Sequence, residues 1–419
     1  MSIKERVTDI AKKVAQAAVV LRNTSGQQRN ELLARMAELL RVQKSRIMRA
    51  NAIDMEHGEE KGLSSAMLDR LLLNDERIEK MATALEEIIE LPDPLAQTLE
   101  EWTRPNGLLI QKVPVPLGVV GIIYESRPNV TVDAASLCVK AGNGVLLRGG
   151  SEAINSNIGL VEILQNACRD VGLPESCIEI IDFTDRAAVA EMARLDDYLN
   201  LIVPRGGHSL IRAVTENATV PVLKHDRGMT QIYVDASCDI DMTVTLVHNS
   251  KVQRPGVCNA VENLYVHQDN EEALRAIVAD LQDAGVEIRA CPRTMELCEG
   301  CVPATEEDWD TEYLDMILAV RVVDSMDEAM ELIARHGSGL TEAIYTDIEA
   351  NAERFLCEVD SACVYHNAST RFTDGGQFGL GAEIGISTDK IHARGPVGVR
   401  ELVSYKYVVR GDGQIRTSS

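Results

Sequence analysis

The sequence predicts an α/β protein built on parallel sheets, and three observations carry that prediction. From Leu117 onward, short apolar runs alternate with segments of helical periodicity, the pattern of strands covered on both faces by helices. Before it, residues 2 to 91 keep helical stripes throughout. Arg-Gly-Gly occurs twice where a strand end meets a helix start, at Arg148-Gly149-Gly150 and at Arg205-Gly206-Gly207.

The elements follow in order. Ile3, Val7, Ile10, Val14 and Ala17 form one apolar stripe, and Leu32, Leu33, Met36, Leu39 and Leu40 another. Asn74 caps a helix running to Ile89, which Leu91-Pro92-Asp93-Pro94 stops. Asn106-Gly107 between two extended stretches predicts a hairpin within 97–116. Strands are then expected over 117–124, 145–147, 178–181 and 199–203, with helices over 130–140, 153–171, 187–195 and 209–216 between and after them. A second αβ block begins after Val222, with strands over 232–235, 264–266, 316–323, 343–345 and 362–365 and helices over 240–247, 271–284 and 326–334. Residues 369–386 read as a Gly-, Ser- and Thr-rich loop that folds over a ligand. Residues 399–409 read as an edge strand, pairing with the early hairpin of this or another subunit.

A chain of 419 residues suits two or three domains. Its net charge of −23 argues against nucleic acid or an anionic membrane surface as the main partner. No apolar run approaches membrane-spanning length, and the first 20 residues lack the apolar centre of a signal peptide, so a cytoplasmic protein is expected. The ten cysteines then read as reduced thiols. Cys291, Cys298 and Cys301 cluster, but no second Cys-x-x-Cys or histidine pair completes a tetrahedral site, so no metal is expected. His225, His366 and His392 have no spacing that marks a base.

The chemistry points to Gln253-Arg254-Pro255-Gly256-Val257-Cys258-Asn259. A thiol on a Pro-Gly turn, preceded by Lys251 and Arg254, has the setting of a thiolate nucleophile. A buried structural cysteine is the alternative, and the two cations could equally pair with acidic neighbours. The two Arg-Gly-Gly junctions let backbone N–H groups approach an anion at a helix N-terminus, as a dinucleotide requires. Ordinary tight turns use the same glycines. Arginine rather than a carboxylate at position 148 suits a 2′-phosphate, which favours NADP over NAD.

These residues resemble a known family. The segment 253–262 is similar to the active-site segment of the γ-glutamyl phosphate reductases, also called glutamate-5-semialdehyde dehydrogenases, a branch of the aldehyde dehydrogenase superfamily. Tyr124-Glu125-Ser126-Arg127-Pro128, the stretch from Asn367 through Arg371 to Glu383, and Lys390-Ile391-His392-Ala393-Arg394 resemble its other signatures. The resemblance implies an aldehyde dehydrogenase-like fold of two doubly wound αβα domains plus a small β oligomerisation element. Residues 1–95 and 116–228 would form the NADP-binding domain and 229–366 the catalytic domain. Residues 96–115 and 395–411 would form the β element, and 367–394 an active-site region returning to the cofactor domain. It also implies NADPH-dependent reduction of L-glutamyl 5-phosphate to L-glutamate 5-semialdehyde and phosphate, in proline biosynthesis, by a homo-oligomer that glutamate 5-kinase could supply.

By the same resemblance, Cys258 is the nucleophile and Ser126 stands where the superfamily has an oxyanion-hole asparagine. Arg148, Gly149, Gly150, Arg205, Gly206, Gly207 and Glu312 would hold the cofactor, and Arg127, Arg254, Asn367 and Arg371 the substrate. The glutamate base of hydrolytic relatives has no counterpart in Leu223 to Val234. Where the family often has histidines, this chain has Leu332 and Leu340, and its frequent Cys-His pair is Thr230-Gln231. An oxidising semialdehyde dehydrogenase of the same fold and a silent nucleotide-binding protein are the competing readings.

Overall fold

The structure, a computed structural model, describes residues 1–224 and 227–416, with the backbone alone at His208. The chain divides into two units: Met1–Lys224, Gly379–Gly385 and Val397 onward make the first, and the second runs to Phe378 and takes up Ile386–Pro396 again. Of the region 367–394, only 379–385 therefore belongs with the first unit.

The first unit opens with helices α1 (Ile3–Leu21), α2 (Gly26–Val42), α3 (Lys44–Glu60), α4 (Ser65–Leu71) and α5 (Asp75–Glu90). Ser2, Ser25, Ser64 and Asn74 cap four of them, each side chain accepting a backbone N–H of the first turn. A hairpin follows, β1 (Glu100–Thr103) and β2 (Leu109–Pro116), joined through Gly107 at φ +89°.

Four parallel strands then alternate with helices: β3 (Val119–Tyr124), α6 (Asn129–Lys140), β4 (Gly144–Arg148), α7 (Ile154–Asp170), β5 (Ile178–Ile180), α8 (Ala187–Met192), β6 (Leu201–Arg205) and α9 (His208–Asn217). The strand order is β5-β4-β3-β6. The chain steps outward from β3 to β5 and returns on the other side of β3, which leaves a topological switch point between β3 and β6. In open α/β sheets, ligands bind at the carboxyl ends of strands at such a point.

The second unit is one seven-stranded parallel sheet, in the order β10-β9-β11-β8-β7-β12-β13. Its elements are β7 (Thr230–Val234), α10 (Ile240–Val252), β8 (Val261–His267), α11 (Glu271–Asp283), β9 (Glu287–Ala290), α12 (Pro292–Leu297), β10 (Val302–Pro303), β11 (Ile317–Val323), α13 (Met326–His336), β12 (Thr341–Tyr345), α14 (Glu349–Glu358) and β13 (Cys363–His366). The expected strands are present. Absent from the expectation were β9, α12, β10 and α14, which are short and carry charged or exposed residues instead of an apolar run. Two short strands, β14 (Gly385–Ser387) and β15 (Gly395–Val397), also pair with each other, so the start of the expected 395–411 β element pairs with 385–387 instead of with the early hairpin.

The last strand, β16 (Val403–Arg410), pairs antiparallel with β2 along its whole length. The carboxy-terminal strand thus joins the hairpin of its own chain, and β1 and β16 are the edges of that three-stranded sheet. Among the described residues, no helix is long and apolar enough to cross a membrane.

One buried carboxylate ties the leading helices to the first sheet. Asp54 of α3 is 1% exposed and accepts the backbone N–H groups of Asn155 and Ser156 at 3.2 and 2.7 Å, with the Ser156 hydroxyl at 2.6 Å. It fills the N-terminus of α7 with an internal anion. Asp54→Ala is expected to lower the free energy of unfolding by about 2–3 kcal/mol, because it strips a cap and leaves buried donors unpaired. Denaturant titration of wild type against variant measures it.

Candidate active site

The two Arg-Gly-Gly junctions lie side by side but are not equivalent. Register places Ile123 opposite Arg148 and Tyr124 opposite Arg205, so both junctions flank the Glu125-Ser126 turn at the carboxyl edge of the first sheet. At the first junction, Asp54 already occupies the amides of α7. Asp54 takes only the Asn155 and Ser156 amides there, so the two junctions differ in their surroundings. At the second, a Cβ on Gly207 would meet nothing nearer than 4.0 Å, and the α9 N-terminus is exposed. Its Gly207 N–H donates to Glu125 Oε2 at 3.0 Å. A Cβ on Gly206 would come within 2.7 Å of the Glu125 carboxylate, the end of an exposed, movable side chain.

Arg148 is 8% exposed and bonds back to main chain, Nη1 to the Gly149 carbonyl at 2.6 Å and Nη2 to the Thr184 carbonyl at 3.3 Å. Its Nε has no partner among the described residues, and burial pulls the guanidinium below the usual arginine value. Arg205 is half-buried and lies close enough to Asp133 to oppose the burial that raises that carboxyl to about 6.

Ser126 differs from its expected role. Its N–H and its Oγ both donate to one oxygen of Glu152, at 2.7 and 2.6 Å, so neither donor is presented to a developing oxyanion. Burial would raise the Glu152 carboxyl, but the hydrogen bonds from Ser126 hold it below the carboxylate range. Arg127 is exposed in the turn that leads into α6.

In the second unit, parallel strands put the turns before β7, β8, β11 and β12 on one edge, and Cys258 sits there half-buried. The main chain of Gly228, before β7, presses against it: a Cβ on Gly228 would fall 2.4 Å from Cys258 Cα. Thr230 Oγ1 donates to the Cys258 carbonyl at 2.9 Å, and Asn259 is fixed on both sides, to the Thr373 carbonyl at 2.7 Å and from Thr370 Oγ1 at 2.8 Å. Glu312, before β11, accepts the Gly228 N–H at 2.9 Å.

Of the four residues expected at the substrate, Arg371 interacts with the Cys258 sulfur, and Arg254 neighbours Arg371. Arg371 donates to Asn259 Oδ1 and to Gln253 Oε1, the latter at 2.8 Å. Burial, and then the neighbouring Arg254 guanidinium, pull Arg371 below its usual value, while Asp374 and the Cys258 sulfur act the other way. Asn367 does not join them. At φ +49°, its side chain binds the Thr346 main chain on both sides, at 3.1 and 3.0 Å, across the carboxyl ends of β12 and β13. Lys251 is not a thiol neighbour either, because it is wholly buried against Glu262 at 2.8 Å. His366 bonds the Thr346 carbonyl at 3.0 Å, and His225 lies outside the described residues. No group of three or more His, Cys, Asp or Glu residues could hold a metal among the described residues.

The aldehyde dehydrogenase family model matches residues 2–289. A γ-glutamyl phosphate reductase of Heliobacterium modesticaldum is 53% identical over 406 residues, covering 97% of each chain. The crystal structure of the γ-glutamyl phosphate reductase of Thermotoga maritima superposes with a TM-score of 0.97 at 50% identity, over 98% of this chain and 100% of that one. The chain belongs to the aldehyde dehydrogenase family, in its γ-glutamyl phosphate reductase branch. An acetylating aldehyde dehydrogenase of Geobacillus thermoglucosidasius shares the fold, with a TM-score of 0.71 at 19% identity.

Sequence reasoning missed Gly228, Thr230 and Thr370, whose roles depend on contacts between separate strands. It also missed a row of buried polar groups. Glu342, Gln231 and Asn263 are register partners across β12, β7 and β8, all wholly buried. Both amide atoms of Gln231 have no hydrogen-bond partner among the described residues, while Ser361 interacts with the Glu342 carboxyl and Asn263 with the Tyr265 hydroxyl. Burial pushes the Glu342 carboxyl up to about 8. The folded protein therefore holds this proton where the unfolded chain has lost it, and stability falls as pH rises from about 4.5 to about 8. Glu342→Gln is expected to be neutral for stability near pH 4 and stabilising above pH 8, by an amount on the order of 3 kcal/mol. Thermal melts across that range measure the difference.

Proposed function

We propose that this protein reduces L-glutamyl 5-phosphate to L-glutamate 5-semialdehyde and phosphate, with NADPH as reductant, through a thioester on Cys258. The observation that carries the reading is a half-buried thiol within the field of the Arg371 guanidinium, itself neighboured by Arg254, in a chain of this family. Two guanidiniums suit a substrate with a carboxylate at one end and a phosphate at the other. They also favour the thiolate form of Cys258, which attacks the acyl carbon, and phosphate leaves with the bonding pair.

The Cys258 backbone N–H is the candidate donor for the oxyanion, since Ser126 is occupied by Glu152. When bound, the cofactor supplies the hydride that reduces the thioester. The resulting thiohemiacetal oxygen re-forms the carbonyl as the Cys258 sulfur departs, and the aldehyde is released. The residues fit such a cofactor: Gly206 and Gly207 open the α9 N-terminus at the switch point to a phosphate, and the Nε of buried Arg148 lacks a partner. Leu223 to Val234 contains no glutamate, which fits an enzyme that must keep water from the thioester. The β1-β2-β16 sheet exposes Trp102, Tyr405 and Tyr407, which supports a homo-oligomer.

The decisive measurement is NADPH oxidation with a coupled glutamate 5-kinase making the acyl phosphate in place. Cys258→Ala is expected to abolish turnover, and equal rates would sink the mechanism. In reverse, oxidation of the semialdehyde should require phosphate or arsenate, and turnover without either would favour a hydrolytic oxidising dehydrogenase.

Glu125 sets a second expectation. A phosphate reaching the Gly207 N–H must displace this carboxylate, so Glu125→Gln should tighten NADPH binding by about 3- to 10-fold, the worth of one removed anion at a helix N-terminus. Cofactor fluorescence titration reads it directly.

A further inference from the structure

The chemistry above makes no use of Lys251 and Glu262, yet both are 0% exposed, with Nζ 2.8 Å from Oε2. Burial drives both groups toward their neutral forms against their mutual attraction. A buried ion pair is therefore a poor source of net stability. Its placement is more informative. Lys251 lies in the last turn of α10 and Glu262 in β8, so the pair bridges the two ends of the segment that carries Cys258.

The other oxygen of Glu262 reaches out of the pair. Its Oε1 accepts the backbone N–H of Leu314 at 3.2 Å. Leu314 has φ +53°, in the left-handed region that an L-residue with a branched side chain rarely adopts. Its side chain is 47% exposed, so side-chain packing alone does not explain that backbone. The Glu262 hydrogen bond supplies a hold. On one side of this turn, the Leu314 carbonyl faces Gly256, where a Cβ would lie 3.6 Å away. On the other, Glu312 accepts the Gly228 N–H, and Gly228 lies against Cys258.

We propose that Lys251 and Glu262 are positioning residues for Cys258: the buried pair holds Leu314 in its left-handed turn, and that turn carries Glu312 onto Gly228 and fixes the backbone behind the thiol. This rests on the reading of Cys258 as the nucleophile. Lys251 keeps the Glu262 carboxylate ionised and aimed, Glu262 pins the turn, and Gly228 transmits the position by contact.

Two double variants separate positioning from bulk stability. Lys251→Met with Glu262→Gln removes both charges but keeps an acceptor for the Leu314 N–H. Lys251→Met with Glu262→Leu removes the acceptor as well. Both exchange the ion pair for neutral groups, which cores commonly tolerate. The readouts are the rate of Cys258 alkylation by iodoacetamide, mapped by mass spectrometry, and kcat and KM in the coupled assay. The first variant should stay within about threefold of wild type, and the second should lose about tenfold or more in alkylation rate and in kcat, as misplacement of a reacting group does. Equal alkylation rates and equal kcat in the two variants would overturn the proposal.

Leu314 gives the same test from an exposed position. Leu314→Pro deletes the N–H and forbids a positive φ, whereas Leu314→Gly keeps both. The proline variant should slow Cys258 alkylation by about tenfold and the glycine variant should not. Matching rates in these two would overturn the proposal even where a core variant does not fold. Turnover by Cys258→Ala at the wild-type rate would instead remove the nucleophile reading. An inactive Cys258→Ala beside matching Leu314 variants would remove only the positioning role.

Discussion

The site depends on one close approach, the main chain of Gly228 against the backbone of Cys258. That contact exists because β7 and β8 are parallel neighbours, so the turns that enter them emerge on the same edge of the sheet. Every other holding interaction is arranged around it. Thr230, two residues into the strand approach, takes the Cys258 carbonyl, and Glu312, at the entry to the next-but-one strand, takes the Gly228 N–H. A side chain at position 228 would press on the Cys258 backbone at 2.4 Å, a clash that no rotamer change elsewhere could absorb.

Charge in this protein acts locally. The chain is strongly acidic as a whole, yet the thiol has the Arg371 guanidinium near it, and the buried Lys251 pairs with Glu262. Acidic side chains also serve as internal anions. Asp54 fills the N-terminus of α7, Glu152 takes both donors of Ser126, and Glu125 sits on the first amide of α9. Of the three, Asp54 is wholly buried and Glu125 is exposed, so the first acts as a permanent cap and the last can be displaced by a competing phosphate.

The row of buried polar groups on β12, β7 and β8 carries a cost that the fold bears. Buried donors and acceptors without partners each cost on the order of 1–3 kcal/mol, and among the described residues both amide atoms of Gln231 are of this kind. Gln231 lies at the centre of that row. Local rules of sequence and stability are broken most readily at functional sites.

By itself, the sequence determined the alternation of strands and helices, the hairpin at Asn106-Gly107, the capped start at Asn74 and the turn that carries Cys258, since all of these are written in short-range patterns of apolar spacing, turn residues and charge. It also marked the glycines of both Arg-Gly-Gly junctions. Only the tertiary structure decided that the two junctions differ, because the Asp54 that takes two amides at the first comes from a helix about 100 residues earlier. It likewise assigned Lys251 to Glu262, removed Asn367 from the thiol and brought in Gly228. Those outcomes turn on which strands are neighbours and which side chains are already satisfied. Spacing along the chain carries neither.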